Sequence, residues 1–520
     1  MVDRGPVIRG TYGLGVLCLM AAPVAAQTVP LYSVYELTFE GPTGLAKPAA
    51  EVQLLCTWEG PGQRRISVQG FWDGGSTWRC RFTPTKVGPW RLTSVVSERP
   101  ELARQHVGLS LRCTPSKHRG FWEAEGRYWR RSNGSYEYFV GNTHYTFLIN
   151  PAEQIVADLR GNRQYFGKVR FSICGDRYED PELKAFLKPD GTQTNESQYA
   201  DSPNPEYFQE RVDVAVRTGF EEDLICDLIM SGPDKHRRQL EQGAYIRYVA
   251  ARYGAYPNVW FCVANEWDQV YQAAQVKALG EKLRSYLAYP TPVSVHSTPR
   301  VEWDPRLNGD WCDHATIQKK LKSMTASADA IRRAREACPG KPAINDENSY
   351  QGKGDGHTHD DTIEAIFGSF MGGGYATTSY KPANKQGQYF FGKFNVEEHT
   401  SAPHLKFLAD YINEHVDFWR LEPGDRHGVF EVPDGFRVLE DPGREYIVGC
   451  NGAASMTAKL PQGLWQVTRV DLFAMETNVI AKHLGWAPAD REFSFRSHDS
   501  RAQLLHFEEM RSKGLLRIGG

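Results

Sequence analysis

Two glutamates in this 520-residue sequence close apolar runs in a way that would present a carboxyl group at the end of a strand. Glu266 follows Val259-Trp260-Phe261-Cys262-Val263-Ala264-Asn265, and Glu347 follows Pro342-Ala343-Ile344-Asn345-Asp346. Such a pair has a defined chemistry. A protonated carboxyl hands a proton to a leaving oxygen while an ionised one attacks carbon or activates water, which is what cleavage of a glycosidic bond requires. The two residues stand 81 positions apart. At roughly 30 residues per strand-helix unit of a (β/α)8 barrel, that puts them about three strands apart, on strands four and seven and across the mouth.

Other side chains compete for a part in such a site. Asp227 ends the run 223–229 and suits a sugar hydroxyl or a structural bond, with catalysis as the alternative. Asp346 would become the nucleophile if the register slipped by one, but strand alternation is expected to turn it to the other side. His296 and Gln318 close the fifth and sixth runs and suit hydrogen bonds to hydroxyls. Trp267, Trp303, Trp311, Tyr350 and Tyr380 lie at or just past strand ends, as stacking platforms for sugar rings or as barrel packing. The run Asp355-Gly356-His357-Thr358-His359-Asp360-Asp361 looks metal-like but offers no third spaced ligand. It reads as a solvated loop in which Asp360 or Asp361 starts the next helix. Neither a metal nor a cofactor is expected.

The elements that must position these groups follow from periodicity. Strand-like runs are expected at 145–148, 169–173, 223–229, 259–264, 292–296, 314–317, 342–345 and 375–378, with helices at 204–219, 234–253, 271–287, 328–337, 361–370 and 403–418. Alternation of this kind predicts parallel βα units and an α/β fold, a (β/α)8 TIM barrel. In the helix at 204–219, Asn204 is the expected cap, Pro205 the first turn, and Gly219 the closing residue. No glycine fingerprint for a dinucleotide or a P-loop follows any strand. Before the barrel, 32–113 alternates with period two between Gly/Pro turns, and the same pattern returns after His427, so a β-sandwich is expected on each side. The predicted domains are 27–115, 116–420 and 421–520.

Composition narrows the partner. With 61 Lys+Arg against 63 Asp+Glu the net charge is -2, which gives no field for nucleic acid. Aromatic residues make up 12% of the chain, among them 13 Trp, suited to packing and to sugar faces alike. Arg4 and Arg9, the apolar run 13–22 and Val24-Ala25-Ala26 form the pattern of a secretory leader over 1–26, so a secreted or periplasmic protein without a membrane span is expected. The ten cysteines show no CxxC spacing. Cys174, Cys226 and Cys262 fall in apolar runs and read as buried thiols, while Cys56, Cys80 and Cys113 are the candidates for a bridge.

The sequence resembles the apiosidase-like glycoside hydrolases of the large retaining (β/α)8 clan over nearly the whole mature chain. The carriers are Gly70-Phe71-Trp72-Asp73-Gly74, Trp78-Arg79-Cys80-Arg81-Phe82, His118-Arg119-Gly120-Phe121, Lys168-Val169-Arg170, Ala264-Asn265-Glu266-Trp267 and Lys341-Pro342-Ala343-Ile344-Asn345-Asp346-Glu347. The chain departs from the family's frequent Tyr-Glu-Gly in having Gln351-Gly352 after Tyr350. The resemblance implies Glu266 as acid/base, Asn265 on the sugar 2-hydroxyl, Glu347 as nucleophile and Arg170 keeping Glu347 ionised. It implies a polysaccharide or oligosaccharide substrate of plant, algal or microbial origin. The competing readings are a non-catalytic carbohydrate-binding protein or an adhesin on a barrel scaffold; neither needs two carboxylates and an arginine together.

Overall fold

The computed structural model describes residues 27–512 apart from 175–181, 233–237, 384–386, 453, 486–490 and 498–500. The leader expected at 1–26 therefore lies outside the described residues. Eight parallel strands form the barrel: Val140–Thr143, Lys168–Ser172, Ile225–Ile229, Val259–Cys262, Val293–Ser294, Ala315–Ile317, Ala343–Asn345 and Tyr375–Tyr380. They are hydrogen-bonded in the order 5-4-3-2-1-8-7-6. The remaining seam, between strands five and six, is bridged by the Asp313 N–H on the Val293 carbonyl at 2.8 Å and by Ser294 Oγ on the His314 carbonyl at 2.7 Å. The fold is thus the expected TIM barrel with β-sandwich layers on either side. These strands read as apolar runs because both faces are covered, inside by the barrel and outside by helices. Strands three and four are buried at every position.

Three expectations need correction. The apolar stretch 145–148 is not the first strand; it lies past the strand Val140–Thr143 and runs into a 3-10 turn, Phe147–Ile149. Of the helix expected at 234–253, residues 234–237 lie outside the described residues, Gln239–Glu241 form a 3-10 turn, and the helix itself is Gly243–Tyr253. After strand five the chain makes only a 3-10 turn, Pro305–Leu307, before strand six, a unit in which no helix was expected. The helix expected at 204–219 runs on to Glu221, with a π-turn at Phe208–Val212. Asn204 occupies its cap position but spends its amide on the Lys184 carbonyl. Gly219 is not its stop. A Cβ there would sit 2.3 Å from Cys226 Sγ, so the glycine lets the helix lie directly on strand three.

The leading layers are built from Gln27–Pro30, Tyr35–Glu40, Leu55–Gly60, Arg64–Trp72, Thr77–Phe82, Gly88–Val96 and Ser110–Thr114. The long strand Arg64–Trp72 pairs with Leu55–Gly60 along its first part and with Thr77–Phe82 along its last, passing from one layer to the other. Between them Trp58 stacks on Phe82 at 4.5 Å, with Trp78 and Trp90 also buried. The trailing layers are a six-stranded and a three-stranded sheet packed around Tyr446, Trp465 and Phe507. Cys56, Cys80, Cys113, Cys174, Cys226, Cys262, Cys312, Cys338 and Cys450 are all buried free thiols. The candidate bridge is therefore not formed. No helix among the described residues is long and apolar enough to cross a membrane.

Where the leading layers meet the barrel, six charges alternate in a closed ring. Glu36 accepts from Arg81 at 2.9 Å, Arg81 reaches Asp213 at 2.7 Å, Asp213 accepts from Arg252 at 2.8 Å, and Arg252 donates to Asp73 at 2.7 Å. Arg79 then binds both Asp73 and Glu36 and closes the circuit. All of the ring but Arg252 lines a cavity of about 480 Å³.

Candidate active site

Strand seven holds its last residues from both sides. The Asp346 N–H donates to the Ile317 carbonyl of strand six at 2.9 Å, and the Asn348 N–H donates to the Thr377 carbonyl of strand eight at 3.1 Å. Glu347 is fixed between these two bonds and is only 3% exposed. One oxygen, Oε1, accepts from Arg170 Nη1 at 3.2 Å, and the other, Oε2, accepts from Gln318 Nε2 at 2.8 Å with Lys320 Nζ at 3.4 Å. Burial by itself would push this carboxyl up. Lys320, then His296, Arg170 and Lys381, outweigh it and leave the group below its ordinary value.

Glu266 is placed differently. It follows strand four in a left-handed conformation, φ +47°, at the start of the short turn Trp267–Gln269. The Trp267 N–H donates to the His296 carbonyl at 3.0 Å, and the His296 N–H donates to the Ala264 carbonyl at 3.0 Å, so strand five clamps the turn. Asp268 accepts from the Thr298 backbone at 2.7 Å and extends that clamp. Among the described residues Glu266 has no arginine or lysine hydrogen-bond partner; its Oε2 accepts from Gln269. Burial, followed by the nearby Glu347 charge, raises it to about 7. Gln318, which donates to Glu347, also favours the ionised form of Glu266, and so faces both carboxyl groups.

Arg170 ties the two strand ends together, with Nη1 on Glu347 and Nη2 on Asn265 Oδ1 at 2.5 Å. Beneath it Lys168 Nζ, fully buried, binds Asp227 at 2.8 Å and Asp346 at 2.5 Å, and Thr377 Oγ1 donates to the same Asp346 oxygen. Burial disfavours the ammonium, but the two carboxylates more than restore it. Asp227 thus sits in mid-strand against Lys168, rather than at a strand end presented to a substrate. Asp346 does not turn to the barrel's outside either. The chain curls past Asn345, so Asp346 and Glu347 both meet groups of strand two, and strict alternation fails at the point where it was applied.

The remaining candidates divide. His296 is wholly buried, both ring nitrogens lack a protein partner, and burial followed by Arg170 holds it neutral, lowered to about 3. Tyr350 is buried beneath Lys320 and beside Tyr389 at 4.9 Å between centroids. Trp267 is buried in the turn after Glu266, and Tyr380 ends strand eight half-buried. Trp311 is packing, since it fills the space over Gly280, where a Cβ would fall 2.0 Å from its ring. Trp303 donates to Asn308 at 2.8 Å within its own loop. In the histidine-rich loop Thr358, rather than Asp360 or Asp361, is the cap. Its hydroxyl accepts from the Asp361 N–H, and Asp361 accepts in return from the Thr358 N–H at 2.8 Å. The metal-like triad among the described residues lies elsewhere, at Glu445, His506 and Glu508. Both His506 nitrogens are already engaged there, by Glu445 at 2.8 Å and by the Tyr411 hydroxyl at 2.9 Å.

Residues 124–378 match the family model described as "Apiosidase-like, catalytic domain", and residues 28–97 match a domain of unknown function, DUF5060. A Bacteroides vulgatus ATCC 8482 protein provisionally described as a glycoside hydrolase superposes with a TM-score of 0.75 at 21% identity, covering 93% of this chain and all of the other. A glycoside hydrolase family 5 protein from the same organism gives 0.61 at 13% identity, covering 77% of this chain and 95% of its own. No curated protein is significantly similar in sequence. Fold and catalytic-domain match define the class as a glycoside hydrolase, and with it a carbohydrate substrate. Over residues 124–378 the chain is similar to the apiosidase-like family.

Proposed function

We propose that the protein is an exported, retaining glycoside hydrolase that cleaves a plant, algal or microbial polysaccharide or oligosaccharide by double displacement. The unequal surroundings of the two carboxyl groups carry this reading: Glu347 is held ionised by Arg170 and Lys320, while Glu266 keeps its proton to about 7. Glu347 attacks the anomeric carbon. Glu266 gives its proton to the departing oxygen, and the glycosyl ester forms on Glu347. Water then enters, Glu266 takes its proton, and the configuration at the anomeric carbon is restored. Asn265, its carbonyl oxygen bound by Arg170, serves the sugar 2-hydroxyl. His296 and Gln318 serve other hydroxyls, with Tyr350, Tyr380 and Trp267 as apolar walls.

The geometry required for retention is a carboxyl separation of about 5 to 5.5 Å, too short to seat a water between carboxylate and sugar. Proton NMR of the first product released from a polysaccharide screen tests the proposal. A product formed with the configuration of the substrate is expected; the opposite anomer would overturn the assignment of Glu347 as nucleophile.

A further inference from the structure

Lys320 stands in a run, Lys319-Lys320-Leu321-Lys322, that has the look of a solvated basic loop. Its surroundings are otherwise. The side chain is 24% exposed, its ammonium lies 3.5 Å from the centroid of the Tyr350 ring, and it contacts two carboxylates, Asp355 at 2.6 Å and Glu347 at 3.4 Å. The backbone on either side is pinned. Asn345 of strand seven accepts from the Lys319 N–H at 3.0 Å and donates to the Lys319 carbonyl at 2.9 Å, while the Leu321 N–H donates to the Asn348 carbonyl at 3.2 Å. Asp355 is held on its other oxygen by Lys381 at 2.8 Å, and the Gly354 N–H donates to the Lys381 carbonyl. The loops after strands six, seven and eight therefore converge on one Lys320-Asp355-Lys381 triad beside Glu347.

We propose, resting on the reading of Glu347 as nucleophile, that Lys320 is a positioning residue for that carboxylate. It fixes Oε2 while Arg170 fixes Oε1, so that the attacking anion is held by cations from opposite sides of the mouth. Two ammonium groups share the single carboxylate of Asp355, which leaves positive charge over for Glu347. Cation–π contact with Tyr350 keeps the lysine from swinging out to water. The groups facing Glu347 are Arg170 from strand two, Glu266 from strand four, His296 from strand five, Gln318 and Lys320 from the loop after strand six, Tyr350 from the loop after strand seven and Lys381 after strand eight. Removal of Lys320 leaves His296, Arg170 and the more distant Lys381 as the groups that favour the anion.

The test needs no sugar. Full-length protein labelled with [5-13C]glutamate is titrated by NMR, with the Glu347 resonance identified by its loss in Glu347→Gln. In Lys320→Met the Glu347 midpoint is expected to rise by about one pH unit, the lower end of what an opposite charge at this distance exerts, and Lys320→Arg should restore it. A midpoint within about 0.3 unit of wild type in Lys320→Met, with the other glutamate signals unchanged, would overturn the proposal, because a lysine that only braces the loop leaves the carboxylate's charge alone. Turnover of Glu347→Gln on a polysaccharide mixture separates the two readings. If that variant remains active while the midpoint moves in Lys320→Met, Glu347 is not the nucleophile although its coupling to Lys320 stands.

Discussion

The ring at the domain interface and the barrel mouth both bury several charges, and they treat them in opposite ways. In the ring each carboxylate lies between two guanidinium groups and each guanidinium between two carboxylates. Burial would raise Asp213, but Arg252 and Arg81 hold it far below the usual carboxylate range. At the mouth the cations are shared unevenly: Glu347 has two, and among the described residues Glu266 has none in its hydrogen bonds. Evenly matched charge holds two domains in place. Unevenly matched charge lets one carboxyl keep its proton to about 7 while the other stays ionised, the difference on which the proposed roles rest.

The largest effect that would sharpen this contrast is expected from Glu347→Gln. It should lower turnover on the order of a thousandfold or more with an unchanged unfolding midpoint, whereas a loss of stability instead would make the mouth another structural lock. Next comes Asp213→Asn in the ring, which strands two buried guanidinium groups and should cost about 3 to 5 kcal/mol of stability by denaturant unfolding. Turnover per folded molecule should be preserved. Glu266→Ala should slow substrates with poor leaving groups by about a hundredfold or more and spare activated aryl glycosides, which need little protonation. Equal losses on both would remove the acid/base role. The smallest effect is one of pH. Activity should decline as pH rises through about 7, where Glu266 loses its proton, a limb absent from Glu266→Ala. The ring's share of stability has the other sign and another window: with Asp213 depressed, it is present at neutral pH and is lost only as pH falls below the ordinary carboxylate value towards the depressed one.

Strands four and seven were legible because each is an apolar run ended abruptly by a polar pair, and a barrel puts chemistry at such ends. The first strand was not, since Asn142 and Thr143 are polar residues buried inside the barrel, while the more apolar 145–148 belongs to the turn after it. Periodicity sees side-chain character but not which polar groups find partners. The same blindness hid Lys168, Lys320 and Asp355. A lysine in sequence looks solvated, and only the approach of loops far apart in the chain gives it two carboxylates. For Asp227 the structural bond was among the expected roles, but its partner Lys168 was not legible, since it comes from a neighbouring strand. Cys174, Cys226 and Cys262 were legible as buried thiols from their apolar runs, whereas the free state of Cys56, Cys80 and Cys113 was not.

Glu266 is held at φ +47°, a region that an L-residue with a long side chain enters at a cost of about 1 to 2 kcal/mol. The turn that brings Asn265 and Glu266 to one mouth is a backbone form natural to glycine. The protein therefore keeps, at the centre of its chemistry, a residue that its own stability disfavours twice, by conformation and by burial of an acid. Glu266→Gly should accordingly fold more firmly than the wild type and do far less, the signature of a trade between durability and work. Any selection of this chain for heat resistance alone would be expected to find that position and, in doing so, to erase the enzyme.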